Sequence, residues 1–390
     1  MEIDSTSDII NLLTTFLSLF FALFLLTLRS GNVLSNRLIA AYLIIYALDS
    51  GTFISSQLIA VRYPGWGLFL NSFLFFGPPL LYLYVCSVCL QDMRINRKDL
   101  IHAIPFVLAF VLLIPRFYMQ SHEGKIAVLS GEDEILPEMI LVYLLLHLQI
   151  VGYLIASFRV VFRSKQVLLE NYASGSINHF NWLISLLTIM SIEVVVSSFK
   201  NLFLLNGLDR EYDMTLTMTG SVALVFICWL VLQALRSPEI YGKVYSQETP
   251  VRNFLHANPK AESKKGGGEI QMSPEDERRI AALMRHMETQ EPFLNASLSI
   301  YDLAKDLNVP VKELSVLINH HLKKHFFDFV NGYRIEKAKE MLKDPKKVDM
   351  TVLEILYDVG FNSKSSFNTA FKKETQMTPT QFRNLVTAET

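Results

Sequence analysis

Seven runs of about twenty mostly apolar residues fill the first 235 positions of this 390-residue chain, and no other feature restricts its fold as much. They fall at roughly 9–28, 38–60, 66–90, 99–117, 136–162, 180–205 and 213–235. That length lets a helix cross the hydrocarbon core of a bilayer. In lipid a helix also satisfies its own backbone hydrogen bonds. Short connectors between the runs suit an antiparallel bundle. Only 19% of the chain is charged, against about 25% in a soluble domain. The average hides two halves, because charges are sparse from Ile9 to Leu235 and frequent from Arg236 onward. The formal net charge of −1 is a sum over unlike halves and identifies no partner.

The loops set the expected orientation. Arg29 and Arg37 follow the first run, Arg94, Arg97 and Lys98 the third, and Arg159, Arg163 and Lys165 the fifth. Arg236 and Lys243 follow the seventh. The opposite loops dilute Arg62, Arg116, Lys125 and Arg210 with acids such as Glu123, Glu132, Asp209 and Glu211. Positive residues mark the cytoplasmic side, so the N-terminus is expected outside and the C-terminal tail in the cytoplasm of a bacterial inner membrane. Residues 1–8 hold Glu2, Asp4 and Asp8 without Lys or Arg, and no cleavage pattern follows. The first run is therefore expected to be a retained helix, not a signal peptide. Cys86, Cys89 and Cys228 lie in apolar runs and make no disulfide framework. Cys86 and Cys89 share a helix face, but a zinc site wants four ligands, so they are read as packing.

Residues 236–273 are expected to link the bundle to the tail. Pro238, Pro250 and Pro259 interrupt helices, and Lys264-Lys265-Gly266-Gly267-Gly268 reads as a flexible break. Ser273-Pro274-Glu275-Asp276 then starts a helix, with a capping serine, a proline in the first turn and acids at the positive end. Ser299 caps a short helix bearing Ile300, Leu303, Ala304 and Leu307. A turn follows at Asn308-Val309-Pro310, and a second helix turns Leu314, Leu317 and Ile318 inward. Ala304 supplies the small residue that two sharply crossing helices need. This is the pattern of a helix-turn-helix unit, whose second helix enters the major groove. A long helix from about Phe327 to Lys343 ends at Asp344-Pro345. The pattern then recurs: Val352, Ile355, Leu356 and Val359, a turn at Gly360-Phe361, and a helix capped by Ser363 with Phe367, Ala370 and Phe371 inside. Thr378-Pro379 starts a last short helix carrying Phe382.

Val359-Gly360-Phe361-Asn362-Ser363-Lys364-Ser365-Ser366-Phe367, then Ala370-Phe371-Lys372-Lys373, then Thr378-Pro379-Thr380-Gln381-Phe382-Arg383 resembles the signature of AraC/XylS transcription regulators. The resemblance covers about residues 275–386. The layout also resembles membrane-embedded members with a multi-helix sensor ahead of the DNA-binding domain. The chain departs from the family at Leu356, where Ala is usual, and at Gln376, where Gly is usual. The larger Leu356 predicts wider packing in the second unit, and Gln enters a left-handed cap less readily than Gly.

The expected fold is therefore all-α: a seven-helix transmembrane sensor domain over 1–235, a cytoplasmic linker over 236–273, and a double helix-turn-helix DNA-binding domain over 274–390. Double-stranded operator DNA and the bilayer are the expected partners, with an unidentified signal or small ligand, RNA polymerase and a second copy of the chain as further candidates. No cofactor or metal is implied.

Base edges are read by short polar side chains early in a recognition helix. Lys312, Ser315, Val316 and Asn319 face outward in the first unit, and Lys364, Ser365, Asn368 and Thr369 in the second. The resemblance implies that these face bases, with Asn368 suited to adenine and Lys364 to guanine. Lys323, Lys324, Lys372, Lys373 and Arg383 suit phosphates, which set position and affinity but carry no sequence information. From Phe293 to Thr387, 14 Lys/Arg face 11 Asp/Glu, so non-specific affinity is expected to be modest.

Ionisable residues within apolar runs are costly and tend to be functional. Asp49, Glu193, Lys200 and His147 are such residues, and Pro78-Pro79 predicts a kink that frees carbonyls. Asp49, Glu193 and His147 either line a polar sensor pocket or form structural interhelical hydrogen bonds. Lys200 shares roughly one face with Glu193, or else snorkels to the outer surface. The glycines of the linker argue against rigid transmission and for control through dimerisation or local concentration. The alternative class is a membrane transporter or enzyme with an attached regulatory DNA-binding domain. A transporter should show inverted repeats, and the bundle has no clear internal repeat; candidate catalytic residues are few and scattered, and the tail carries no phosphate-binding glycine loop or nucleophile triad.

Overall fold

The computed structural model describes residues 6–28, 32–51, 62–90, 93–130, 136–173, 177–236 and 273–389. Positions 237–272 of the expected linker, the 52–60 end of the second apolar run, and Glu2, Asp4, Arg29 and Glu132 lie outside the described residues. The described chain is almost wholly helical, and no sheet forms among the described residues.

Among the described residues seven helices are long and apolar enough to cross a membrane: α1 (Thr6–Thr27), α2 (Val33–Ser50), α3 (Pro64–Cys89), α4 (Arg97–Tyr118), α5 (Pro137–Asn171), α6 (Ile177–Leu205) and α7 (Asp209–Arg236). A short helix, His122–Ser130, precedes α5. The second helix starts at Val33, five residues before the expected boundary, because Asn32 caps it by accepting from the Ser35 amide. Large apolar side chains point away from the packed interior: Phe16, Phe20, Leu23, Leu148 and Val225 are each more than 60% exposed. A water-soluble protein rarely displays so much apolar surface.

Sparse polar contacts fix the helix pairs. Ser35 Oγ and Ser87 Oγ lie 2.8 Å apart, and Asn32 Nδ2 donates to the Ser87 carbonyl at 2.9 Å, joining the start of α2 to the end of α3. Within α3 the helix tightens into a 3₁₀ turn at Phe73–Phe76, just ahead of Pro78-Pro79. Pro79 has no N–H to offer the carbonyl four residues back. That carbonyl, on Phe75, instead accepts from Gln149 Nε2 of α5 at 3.1 Å. The diproline therefore ties two helices together.

The compact units do not follow chain order. One is Met1–Val161 with Trp182–Pro250, and the other is Phe162–Asn181 with Val251–Thr390. The 35 residues of α5 extend about 52 Å, well beyond the roughly 30 Å of a hydrocarbon core. The last turns of α5 and the connector after it thus belong with the tail.

The second unit holds α8 (Pro274–Gln290), α9 (Ile300–Asp306), α10 (Val311–Val316), α11 (Phe326–Lys343), α12 (Val352–Asp358), α13 (Lys364–Thr375) and α14 (Pro379–Glu389). Two apolar cores share α11. Phe326, Phe329 and Val330 pack with Leu303, Leu314 and Ile318 in the first core. Ile335, Ala338 and Leu342 pack with Ile355, Phe367 and Phe371 in the second. The long helix is the beam on which both helix-turn-helix units are mounted.

Capping boxes start α8, α9 and α12. Hydrogen bonds from the Ser273 hydroxyl and amide hold the Asp276 carboxyl below the usual carboxylate range, and the Thr351 amide and hydroxyl do the same for Glu354. A depressed folded-state value stabilises the fold above the ordinary carboxylate range, and that stabilisation is lost as pH falls through the folded value. The first turns of α8 and α12 are therefore expected to lose amide protection, corrected for intrinsic exchange, as pH falls below about 4. Protection unchanged down to about pH 3 would show that these caps do not hold the helix starts.

Candidate nucleic-acid interface and bundle cavity

The two helix-turn-helix units are built on the same turn. In the first, Asn308 takes a left-handed φ of 52° and the Val309 amide donates to the Ala304 carbonyl at 3.0 Å. In the second, Gly360 takes φ 90° and the Phe361 amide donates to the Leu356 carbonyl, also at 3.0 Å. Leu356 thus occupies the place of Ala304. It is 1% exposed and packed within the second core, so the expected widening does not loosen the turn. Gln376 adopts the left-handed cap at φ 60°, and its Nε2 donates to the Lys373 carbonyl at 3.2 Å.

Gly360 is required on two counts. Its φ is one that side chains avoid, and a Cβ there would meet the Phe293 carbonyl oxygen at 2.5 Å and that of Leu294 at 2.7 Å. Backbone oxygens cannot swing aside as a side chain can. Gly360→Ala is expected to destabilise the second unit by about 2 kcal/mol or more, read as a lower urea midpoint in pulse proteolysis. An unchanged midpoint would contradict the close approach of these two segments.

Ser363 caps α13 by accepting from the Ser366 amide, which places Lys364 and Ser365 at the exposed start of the helix. Asn368 follows one turn on and is half-buried. Thr369 and Lys373 instead line a cleft of about 120 Å³ with Phe327 and Asp328 of α11, and Lys373 Nζ pairs with Asp328 Oδ1 at 2.7 Å. Those two residues face the scaffold helix more than the start of α13 does. On α10, Lys312 is exposed, while Ser315, Val316 and Asn319 are half-buried. Asn319 Nδ2 donates to Ser315 Oγ at 3.0 Å, where α10 widens into a π turn at Leu317–His321. Lys323, Lys324 and Lys372 are exposed, and Arg383 is half-buried.

Sequence reasoning missed Arg334. This side chain is 0% exposed. Its Nε donates to the Phe293 carbonyl at 2.7 Å, Nη2 to that of Asn295 at 2.8 Å, and Nη1 to that of Ala173 at 3.0 Å and to Asn331 Oδ1 at 3.1 Å. Burial pushes the guanidinium down to about 10, which leaves it charged at neutral pH. The signal was present: Arg334 stands four residues from both Val330 and Ala338, on the apolar stripe of α11. The connector after α5 was missed as well. The Ala173 amide donates to the Leu298 carbonyl at 3.2 Å, and Tyr172 forms an antiparallel bridge with Ser299, the cap of α9.

In the bundle, Asp49, His147, Glu193 and Lys200 line one cavity of about 210 Å³. Tyr42, Tyr46, Tyr143 and Asn201, which the sequence did not single out, line it too. Tyr46 Oη donates to Glu193 Oε1 at 2.8 Å, and Asn201 Nδ2 lies 3.4 Å from His147 Nε2. Lys200 turns into the cavity.

This geometry defines a class: a chain of seven long apolar helices ending in a double helix-turn-helix, DNA-binding domain of the transcription-regulator type. Residues 303–385 match the family model of a helix-turn-helix domain. Over 88 residues, 23% of this chain, it is 31% identical to YdeC, an uncharacterized HTH-type transcriptional regulator of Bacillus subtilis. Over 50 residues, 13% of the chain, it is 46% identical to an uncharacterized HTH-type transcriptional regulator in the cgkA 5′ region of Pseudoalteromonas carrageenovora. The matched segments span 29% and 27% of those relatives. The C-terminal domain of AraT, a response regulator from Geobacillus stearothermophilus, is 30% identical, with 30% of this chain and 88% of that one covered at a TM-score of 0.24. All of these likenesses concern part of the chain and leave most of the seven helices unmatched.

Proposed function

We propose that the chain is a membrane-anchored one-component transcription regulator: a seven-helix bundle senses a signal and controls sequence-specific DNA binding by the tail. The observation that carries this reading is the joining, in one chain, of seven membrane-length apolar helices with outward apolar faces to a helix-turn-helix domain. DNA is reached from the cytoplasm, so an odd number of spans puts the N-terminus outside, in agreement with the basic loops. The end of α5, with Arg163 and Lys165, and the connector after it lie on the same side by that count. Its residues Tyr172 and Ala173 are hydrogen-bonded within the unit that contains the tail, which supports the same topology.

Control by dimerisation or local concentration was expected from the glycines of the linker. The connector adds a second covalent route. A change in the bundle that shifts α5 relative to α6 would move Tyr172–Ala173, and with them the carbonyl that Arg334 binds and the cap of α9. Such a signal acts only through unequal affinity for two states of the protein.

Chromatin immunoprecipitation of the full-length protein, with recovery in carbonate-washed membranes, tests the reading. Discrete genomic sites occupied by a membrane-recovered protein are expected. Absence from membranes, or absence of sites across growth conditions, would overturn it.

A further inference from the structure

The proposed sensor role leaves the signal unnamed, and the cavity carries information on its chemistry. Three helices each present one stripe to it. Tyr42, Tyr46 and Asp49 follow one another on α2 at spacings of four and three. Tyr143, His147 and Ile150 do so on α5, and Met190, Glu193, Ser197 and Lys200 on α6. Such spacings put each set on one helix face. Two cross-links set the levels: Tyr42 Oη donates to Met190 Sδ and Tyr46 Oη to Glu193 Oε1, each at 2.8 Å. Asp49, one turn beyond Tyr46, therefore stands near the level of Ser197 and Lys200. One end of the cavity is apolar, around Met190 and Leu154, and the other is polar, around Asp49, Lys200 and the His147–Asn201 pair.

Two carboxyl groups, Asp49 and Glu193, share the cavity with one ammonium and one imidazole, and among the described residues neither carboxyl forms an ion pair with Lys200 within 4.0 Å. A carboxyl in an apolar surrounding ionises at little cost only with a cation beside it, and a bound cation would supply that partner. Tyrosine rings beside the carboxylates attract an organic cation through their faces. A volume of about 210 Å³ lies below the roughly 300–1,000 Å³ of drug-sized sites. Among the described residues no group of three His, Cys, Asp or Glu is arranged to hold a metal ion.

We propose that the bundle cavity binds a small organic amine with an apolar body, its ammonium held between Asp49 and Glu193 and its body toward Met190 and Leu154. This inference rests on the reading of the bundle as the sensor.

Three probes of matched size separate the outcomes: phenethylamine, phenylacetate and 2-phenylethanol. Each is added to the full-length protein in detergent micelles while thermal unfolding is followed. Phenethylamine is expected to raise Tm with concentration, and the anion and the alcohol to leave it unchanged. Asp49→Asn and Glu193→Gln, made singly, are each expected to weaken phenethylamine at least about tenfold. The comparison of probes needs only the unaltered chain, so it holds even where a variant does not fold. An equal shift with the alcohol, or a shift with the anion alone, would overturn the amine class and leave the sensor reading intact. No shift with any probe, together with genomic occupancy that follows external pH alone, would overturn it in favour of a proton. If phenethylamine binds as expected but leaves genomic occupancy unchanged, the binding inference stands and the sensor reading fails.

Discussion

An Arg334→Met chain is expected to lose about 3–5 kcal/mol of the stability of its second unit. Methionine fills a similar volume and spares the fold the burial of a charge, so packing alone would predict a small effect. The loss comes from what the guanidinium leaves behind. The carbonyls of Phe293, Asn295 and Ala173 all converge on it, in a space where Arg334 is 0% exposed. A buried carbonyl without a partner costs about 1–3 kcal/mol, and those of Phe293 and Ala173 are orphaned together, while the Asn295 carbonyl keeps the Leu298 amide at 3.2 Å. Total stability of a domain is commonly about 5–15 kcal/mol, so the variant should stand near the edge of folding. Arg334→Lys should fare little better, because a single ammonium cannot fork toward three diverging acceptors. The urea midpoint in pulse proteolysis reads the result. A loss below about 1 kcal/mol would mean that water replaces the guanidinium. The same substitution frees the connector at Ala173, and the amide of that residue should then exchange faster in the surviving folded population.

Lys364→Ala/Asn368→Ala is expected to abolish occupancy of the discrete genomic sites while the protein stays folded in the membrane. Lys364 is exposed at the first position of α13, and Asn368 follows one turn later on the same side. Neither belongs to the apolar core that Phe367 and Phe371 build. A well-placed contact to a base edge contributes about 1–3 kcal/mol of discrimination, so the pair should lower specific affinity by about 10²- to 10³-fold. The domain is only mildly basic, with 14 Lys/Arg against 11 Asp/Glu between Phe293 and Thr387, so non-specific attraction should not hide that loss. Lys372→Ala provides the contrast. Removing a cation that pairs with a phosphate should weaken binding to all sequences alike and reduce the salt dependence by about one unit. Retained sites in the double variant would place sequence reading on α10.

The sequence by itself determined the two classes of helix. An apolar run of membrane length permits little besides a helix, and the caps at Ser273, Ser299 and Ser363 can be read directly because each uses local hydrogen bonds within three residues. The repeated helix-turn-helix was legible for the same reason: its inward and outward positions follow helical period. Cost pointed to the bundle's ionisable residues, and Asp49, His147, Glu193 and Lys200 do line one cavity. Tyr42, Tyr46 and Tyr143 were not legible, because tyrosine is ordinary in an apolar helix and gains meaning only from what faces it across the bundle. Long-range partners were decided by the tertiary structure alone. Nothing near Ala173 in the chain indicates that its amide meets Leu298 and its carbonyl meets Arg334, 161 positions away. Nothing near Lys373 assigns it to Asp328. Capping and periodicity act over a few residues and are written in local order, whereas the burial of an arginine among distant carbonyls exists only once the chain has closed around it.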